Sequence, residues 1–165
     1  MKQVTIAQND ANQRVDKFLT KTYPNLPQSM LYKAIRKKDI KVNGKRCEIS
    51  TRLSTGDLVE MYIGDEFFDT APEESFRFAG PMVPIVYEDE HLLLVNKRPG
   101  LVVHPDDQER VNTLITHIQA YLYQKKAWSP YWENAFAPAL CNRIDRNTGG
   151  IVIAAKNAET LRVMN

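Results

Sequence analysis

Hydrophobic positions near the start of the chain recur first at helical and then at strand spacing. Helices are predicted over Arg14 to Tyr23 and over Ser29 to about Lys38, with Ser29 as the cap of the second and a proline-containing turn between them. Strands are predicted over Ile40 to Lys45, where an Asn-Gly pair indicates a tight turn, and over Leu58 to Ile63. The predicted order is therefore two helices followed by a small sheet.

After residue 84 the apolar pattern indicates strands, a helix and a further strand. The predicted elements are strands over Ile85 to Tyr87 and Leu92 to Val95, a helix over Thr113 to about Tyr123 capped by Asn112 or Thr113, and a buried strand over Ile151 to Ala155. Asn157 can cap one more helix, which has barely two turns before the sequence ends. We therefore expect the natural protein to continue.

Residues 64–84 interrupt these patterns with acidic residues, glycines and prolines. We interpret this stretch as a linker between a domain at 1–63 and a second, incomplete domain at 85–165. The predicted fold class is α+β, with a two-helix plus β-sheet module followed by the first part of a domain with a mixed or antiparallel sheet.

The composition is typical of a soluble globular chain, since 43% of the 165 residues are apolar and the formal net charge is +2. No apolar run approaches the roughly 18 residues that a membrane span requires. Cys47 and Cys141 match neither a disulfide scaffold nor the paired spacing of zinc ligands. We therefore expect a cytoplasmic protein without membrane contact or bound metal.

Positive charge is concentrated in the first part of the chain. Residues 1–63 contain 12 Lys and Arg against 6 Asp and Glu, whereas residues 64–165 contain 10 against 14. Lys33, Arg36 and Lys37 share one side of the second predicted helix. Such a face could neutralise phosphates along a nucleic acid, although lysine-rich helix faces are equally typical of ordinary solvated surface.

This first part resembles the S-four RNA-binding domain family over roughly Gln13 to Ile63. The resemblance is carried, in order, by Arg14–Leu19, the basic helix 29–38, Ile40–Gly44 and Gly56–Val59. It implies that Lys33, Arg36, Lys37 and Lys41 contact structured RNA.

A second candidate site lies in Asn142–Gly150, directly before the predicted buried strand. Asp145 stands there between Arg143 and Arg146, and neighbouring positive charge favours an ionised carboxylate that can act as nucleophile or base. The spacing alone favours a structural ion pair in a turn, since ion-pair networks also perturb carboxylates.

The segment resembles the active-site motif of RluA-type pseudouridine synthases, His-Arg-Leu-Asp-Arg-x-Thr-Ser-Gly followed by an apolar strand and Ala-Lys-Asn. The further matching segments are Ile85–Asp89, Leu93–Lys97, Pro99–Pro105 and Ala155–Asn157. This sequence departs from the motif at Asn142 in place of His, Ile144 in place of Leu and Gly149 in place of Ser. The loss of a titratable group at position 142 puts any role assigned to that position in doubt.

The resemblance implies an enzyme that isomerises uridine to pseudouridine in RNA without metal or organic cofactor. Asp145 matches the catalytic residue, and Arg143 matches the residue that fills the space left by the everted base. We expect Arg146 to pair with Asp145 or with phosphate, and we assign His104, in a Val-His-Pro turn, a structural role in its loop.

The implied partner is structured RNA, with large-subunit ribosomal RNA preferred over transfer RNA, and we expect a monomer. The family residue that stacks on uracil comes from a segment that this chain does not contain. We therefore expect the chain alone to bind RNA without modifying it.

Two other functions are consistent with the sequence. The first is a non-catalytic RNA-binding module, which Asp145→Ala distinguishes because such a module has no modification to lose. The second is a hydrolase acting on a small glycoside, which normally needs two carboxylates flanking the bond, whereas only Asp145 has a recognisable motif around it.

Overall fold

The structure, a computed structural model, describes residues 1–69, 71 and 74–165. It forms two compact units, Met1–Ala71 and Pro72–Asn165, each with its own hydrophobic core. Within the described residues, no helix is both long and apolar enough to span a bilayer. The predicted α+β class is confirmed, since each unit combines helices with an antiparallel sheet.

The first unit contains two helices and a four-stranded sheet. Its elements are β1 (Lys2–Thr5), α1 (Val15–Thr22), α2 (Gln28–Arg36), β2 (Ile40–Val42), β3 (Lys45–Arg46) and β4 (Leu58–Met61), and the strand order is β1-β4-β2-β3. Asn43 and Gly44, both at positive φ, form the turn between β2 and β3, as the Asn-Gly pair predicts. The N-terminal strand β1 was not predicted.

The apolar stripes of α1 and α2 form much of this unit's core. Phe18 and Leu19 of α1 and Leu31 of α2 are completely excluded from solvent. The prediction that Ser29 caps α2 is wrong, because Pro27 occupies that position. Proline suits the start of a helix, where its missing amide hydrogen has no intrahelical partner to lose.

The second unit is built on another antiparallel sheet. Its elements are β5 (Ile85–Glu88), β6 (Leu92–Lys97), α3 (Leu114–Gln124), β7 (Ala139–Leu140), β8 (Gly150–Ala155) and α4 (Ala158–Met164), with strand order β5-β6-β8-β7. The register between the central strands pairs Lys97 with Gly150, so the end of β6 lies beside the start of β8. The loop that precedes β8 is thereby positioned at this end of the sheet.

Helix α3 contributes the stripe of apolar residues that its periodicity predicts. Leu114, Ile118 and Leu122 are buried in the core with residues of β6 and β8. Thr113 caps the helix, because its hydroxyl oxygen accepts a hydrogen bond from the Thr116 amide at 3.3 Å.

The stretch interpreted as a linker, 64–84, contains ordered structure in both units. A 3₁₀ turn over Asp65–Phe68 packs Phe67 and Phe68 against the first core, and Phe76 in a second turn, Ser75–Phe78, is buried in the core of the second unit. Residues 70, 72 and 73 of the stretch lie outside the described residues.

A half-buried ionic network ties β5 to α3 and to the end of β8. The Glu88 carboxylate accepts hydrogen bonds from the Tyr121 hydroxyl at 2.6 Å and from Lys156 Nζ at 2.9 Å, and it lies 3.0 Å from Lys125 Nζ. Burial raises the pKa of Glu88, but the hydrogen bonds outweigh this effect and bring the pKa down to about 2.

We expect Glu88→Gln to destabilise the protein by about 1–3 kcal/mol near neutral pH, because it removes a charge-assisted network and leaves Lys156 without its carboxylate. A carboxyl group whose folded pKa is depressed from 4.5 to about 2 stabilises the fold above about pH 5 and loses this contribution as the pH falls towards 2. Urea unfolding at several pH values measures both effects.

Glu90→Gln is the matched control for this prediction, since the Glu90 side chain is 84% exposed. An unfolding free energy that depends on pH equally strongly in Glu88→Gln and in the unsubstituted protein would contradict the assignment.

Candidate active site and nucleic-acid interface

Asp145 lies exposed in an open groove of about 610 Å³ on the second unit. Two segments line the groove, Val102–Asp106 and Arg143–Arg146. Within the described part of the chain, the Asp145 carboxylate accepts no hydrogen bond and forms no ion pair. The structure therefore brings Arg143, Asp145 and Arg146 together at one surface, with the carboxylate accessible to a ligand.

The Asp145 loop is anchored to the sheet through the side chain of Asn142. Its amide oxygen accepts a hydrogen bond from the Ile153 backbone amide at 2.7 Å, and its amide nitrogen donates to the Ile151 carbonyl at 3.2 Å. The residue that replaces the motif histidine thus uses both its donor and its acceptor on the backbone of β8. This arrangement gives Asn142 a positioning role.

Lys97, at the end of β6, connects the turn after β6 to the loop that carries Asp145. Its side chain is almost fully buried, and Nζ donates to the carbonyl oxygens of Arg98 and Leu101 at 2.9 Å and of Arg146 at 2.8 Å. Burial lowers the pKa of Lys97, and the Asp145 carboxylate opposes that shift. A buried cation within electrostatic reach of Asp145 therefore holds the loop that carries it.

The turn after β6 approaches the Asp145 loop closely. The Gly100 amide donates to the Arg146 carbonyl at 2.7 Å, and Gly100 has a φ of +93°, which favours glycine. A Cβ atom on Gly149 would lie 3.1 Å from Pro99 Cδ and 3.2 Å from the Lys97 carbonyl oxygen. Glycine at position 149 allows this close approach of the two backbones.

Arg146 was expected to pair either with Asp145 or with phosphate. The structure shows no ion pair between Arg146 and Asp145. Its Nη2 lies 3.9 Å from Asp106 Oδ2, across the groove. Hydrogen bonds from the Glu109 and Gln108 amides, with a smaller contribution from Arg146, lower the pKa of Asp106. Asp106 is thus held as an anion that faces the guanidinium.

His104 also lines the groove, although sequence reasoning assigned it only a structural role in its loop. Burial lowers the pKa of its imidazole, and the nearby Arg143 lowers it further. The groove therefore combines one accessible carboxylate, two guanidinium groups and an imidazole.

The predicted RNA-contacting residues of the first unit lie on its surface. Lys33, Arg36 and Lys37 are exposed at the C-terminal end of α2. Lys41, in β2, is half-buried, and its Nζ lies 5.7 Å from the centre of the Tyr62 ring, a cation–π contact. These four residues remain candidates for phosphate contacts.

Sequence reasoning overlooked Lys97 and Asp106. The alternation of buried Leu93, Val95 and Lys97 along β6 offered a signal for the lysine, since every second side chain of a strand faces the same side. No comparable pattern marks Asp106, whose partner lies 40 positions away in the sequence.

The aromatic residues of the stretch that follows α3 fall into two groups. Trp128 belongs to the core and donates from Nε1 to the Phe136 carbonyl at 3.1 Å, whereas Tyr131 and Trp132 are exposed. Across residues 1–69, 71 and 74–165, no cluster of three or more His, Cys, Asp or Glu side chains has the arrangement of a metal site.

Two family models match the chain. Residues 13–59 match the S4 domain, and residues 91–165 match the family described as RNA pseudouridylate synthase.

Similar proteins include an uncharacterized RNA pseudouridine synthase of Mycoplasma capricolum subsp. capricolum, which is 35% identical over 95% of this chain and 51% of its own length. The ribosomal large subunit pseudouridine synthase C of Vibrio parahaemolyticus is 32% identical over 96% of this chain and 48% of its own length. The chain thus spans about half the length of the curated relatives it matches. A crystal structure of a pseudouridylate synthase aligns with 92% of this chain and 52% of its own at 20% identity, with a TM-score of 0.29, too low to bear on the fold.

We expect Lys97→Met to destabilise the second unit by about 2–4 kcal/mol, because three backbone carbonyl groups lose their donor and the hydrogen bond to Leu101 is buried. Arg98→Met, which alters an exposed neighbour, is the control. Urea unfolding measures the loss, and amide hydrogen exchange should show faster exchange in 142–149. Unchanged exchange in that loop would show that Lys97 does not hold it.

Proposed function

We propose that this chain is part of an enzyme that isomerises uridine to pseudouridine in structured RNA. The proposal is supported by the match of residues 91–165 to the family described as RNA pseudouridylate synthase and of residues 13–59 to the S4 domain. The observation that carries the proposal is the Asp145 carboxylate, which lies exposed in a groove between arginine side chains and has no partner among the described residues.

The groove offers each part of a nucleotide a complementary group. A base stacked in RNA is inaccessible, so the target uridine must be everted, at a cost of about a few kcal/mol. We assign Arg143 to the space that the base leaves, and Arg146 to a phosphate. Asp145 then faces the ribose.

The isomerisation breaks the bond between N1 of uracil and C1′ of ribose and forms a bond from C5 to C1′. The proton on C5 is lost and N1 gains one, so the reaction consumes no co-substrate. Asp145 either attacks C1′ as a nucleophile or removes a sugar proton, and each route stabilises the charge that develops as uracil leaves. The proposal requires neither metal nor organic cofactor.

The first unit would hold the RNA through the exposed cations of α2. Lys33, Arg36 and Lys37 lie on one side of the helix, and Lys41 lies in the adjoining strand. Phosphate contacts of this kind supply affinity and orientation, whereas the choice of uridine requires contacts to bases.

We propose large-subunit ribosomal RNA as the substrate. The support is the name of the relatives, since the Vibrio proteins with 31–32% identity are called ribosomal large subunit pseudouridine synthase C.

The structure bears on the hydrolase alternative by placing a second carboxylate, Asp106, in the groove with Asp145. A glycosidase needs one carboxyl group with a raised pKa as its general acid. The pKa of Asp106 is lowered instead, chiefly by two backbone amides, and the residue faces Arg146. Asp106 is therefore suited to hold the guanidinium and unsuited to protonate a leaving group.

We expect Asp145→Asn to abolish pseudouridine formation, with a loss of at least about a thousandfold, while RNA affinity changes less than about threefold. The assay uses the natural protein that contains this sequence, and pseudouridines are mapped in large-subunit ribosomal RNA. Asp107→Asn, in the same loop as Asp106 and fully exposed, is the matched control. Retained modification by Asp145→Asn would refute the assigned role, and RNA binding without modification by the unsubstituted protein would favour a binding module.

We expect the triple substitution of Lys33, Arg36 and Lys37 by alanine to weaken RNA binding. The slope of log affinity against log salt should become shallower by about one for each phosphate that the variant no longer neutralises. The control replaces Lys2, Lys17 and Lys21, which are also exposed and change the net charge equally. Filter binding at several salt concentrations measures both variants. Equal losses in the two would mean that net charge, and not this face, determines affinity.

A further inference from the structure

His104 differs from the other two histidines in having no partner for its ring. Among the described residues, neither ring nitrogen of His104 makes a hydrogen bond, although the side chain is partly buried in the Asp145 groove. His117 lies 2.6 Å from the Gly80 carbonyl oxygen and 2.7 Å from the Asn112 amide oxygen, and His91 lies 3.1 Å from the Asn157 amide nitrogen. An unpaired polar ring facing a groove is available to a ligand.

The electrostatic surroundings favour the neutral form of this ring. Burial lowers the pKa of His104 below its ordinary value of 6.5, and Arg143 adds to the effect, so the imidazole is uncharged at neutral pH. A neutral imidazole presents one donor and one acceptor. It is therefore suited to an uncharged partner with the same mixture of groups and poorly suited to a phosphate.

The other groups of the groove narrow the identity of that partner. Arg146 is the cation assigned to a phosphate, and Arg143 is assigned to the space that the base leaves in the RNA. Asp145 is the residue assigned to the ribose. The part of the nucleotide that still lacks a protein partner is the uracil base. Its edge carries an N3–H donor between two carbonyl acceptors.

We propose that His104 is a substrate-contacting residue whose imidazole hydrogen-bonds the uracil of the everted uridine in the Asp145 groove. This inference rests on the proposed function, because the uridine is the substrate of that reaction. His104 and Asp145 come from the two different segments that line the groove, so a nucleotide bound between these segments would contact the imidazole through its base and the carboxylate through its sugar.

The proposed hydrogen bond can be tested on this chain by nuclear magnetic resonance of its three histidine rings. His104→Gln identifies the His104 signals, and His91 and His117 serve as internal controls. The probes are uridine 5′-monophosphate and ribose 5-phosphate, which share the sugar phosphate and differ in the base. We expect the His104 signals to shift with uridine 5′-monophosphate and to remain in place with ribose 5-phosphate.

Two results would overturn the inference. One is a His104 ring that does not respond to uridine 5′-monophosphate. The other is an equal response to both probes, which would mean that the ring touches the sugar phosphate. This readout does not depend on turnover, so it separates the failure of the inference from the failure of the proposed function, which the absence of pseudouridine would reveal.

A second measurement follows turnover in the natural protein that contains this sequence. We expect His104→Ala to lower kcat roughly tenfold to a hundredfold while KM for RNA changes little, and His104→Gln, which retains a neutral donor and acceptor, to recover most of the rate. His91→Ala is the matched control. A reduced rate in His104→Ala that His104→Gln does not recover, together with a lower unfolding temperature in both, would indicate a structural role and overturn the inference.

Discussion

One buried ammonium group organises the candidate active site. Lys97 Nζ donates to three carbonyl oxygens, two in the turn after β6 and one in the loop that carries Asp145. Burial of a charge is costly unless its hydrogen-bonding capacity is used, and here every proton of the group has an acceptor. The two backbone segments that meet at this point are consequently held in fixed positions, and the functional side chains project from them.

The charged and polar side chains of the groove differ in whether they already have a partner within the protein. Asp106 engages Arg146 at long range on an exposed surface, where such a pair contributes little to stability and is screened by salt. A phosphate group of RNA could therefore replace the Asp106 carboxylate as the partner of Arg146 with little loss of stability. Among the described residues, Asp145 and His104 have no such partner to give up. Under the proposed function, these two groups would contact the nucleoside, and Arg146 would exchange Asp106 for a phosphate.

The sequence predicted most of the regular elements because each has a strong local signal. The stripe Leu114, Ile118 and Leu122 and the Asn43-Gly44 turn are examples. The resemblance to the pseudouridine synthase motif is what singled out Asp145 as a candidate. Features that depend on residues distant in sequence were not foreseen. Strand β1 forms by pairing with β4, and the Arg146–Asp106 pair joins two loops. The cap position of α2 is Pro27, two residues before the predicted cap Ser29, and this difference reflects how weakly local sequence defines the ends of helices.

The close approach of Gly149 to Pro99 has an evolutionary consequence. A β-carbon at position 149 would press against the proline ring at 3.1 Å, so the serine that the family motif carries there is accommodated only if the Arg98–Gly100 turn withdraws by a few tenths of an ångström. Substitutions at these two places should accordingly be coupled among homologues. Homologues with a larger residue at position 149 should show compensating changes in the turn that corresponds to Arg98–Gly100.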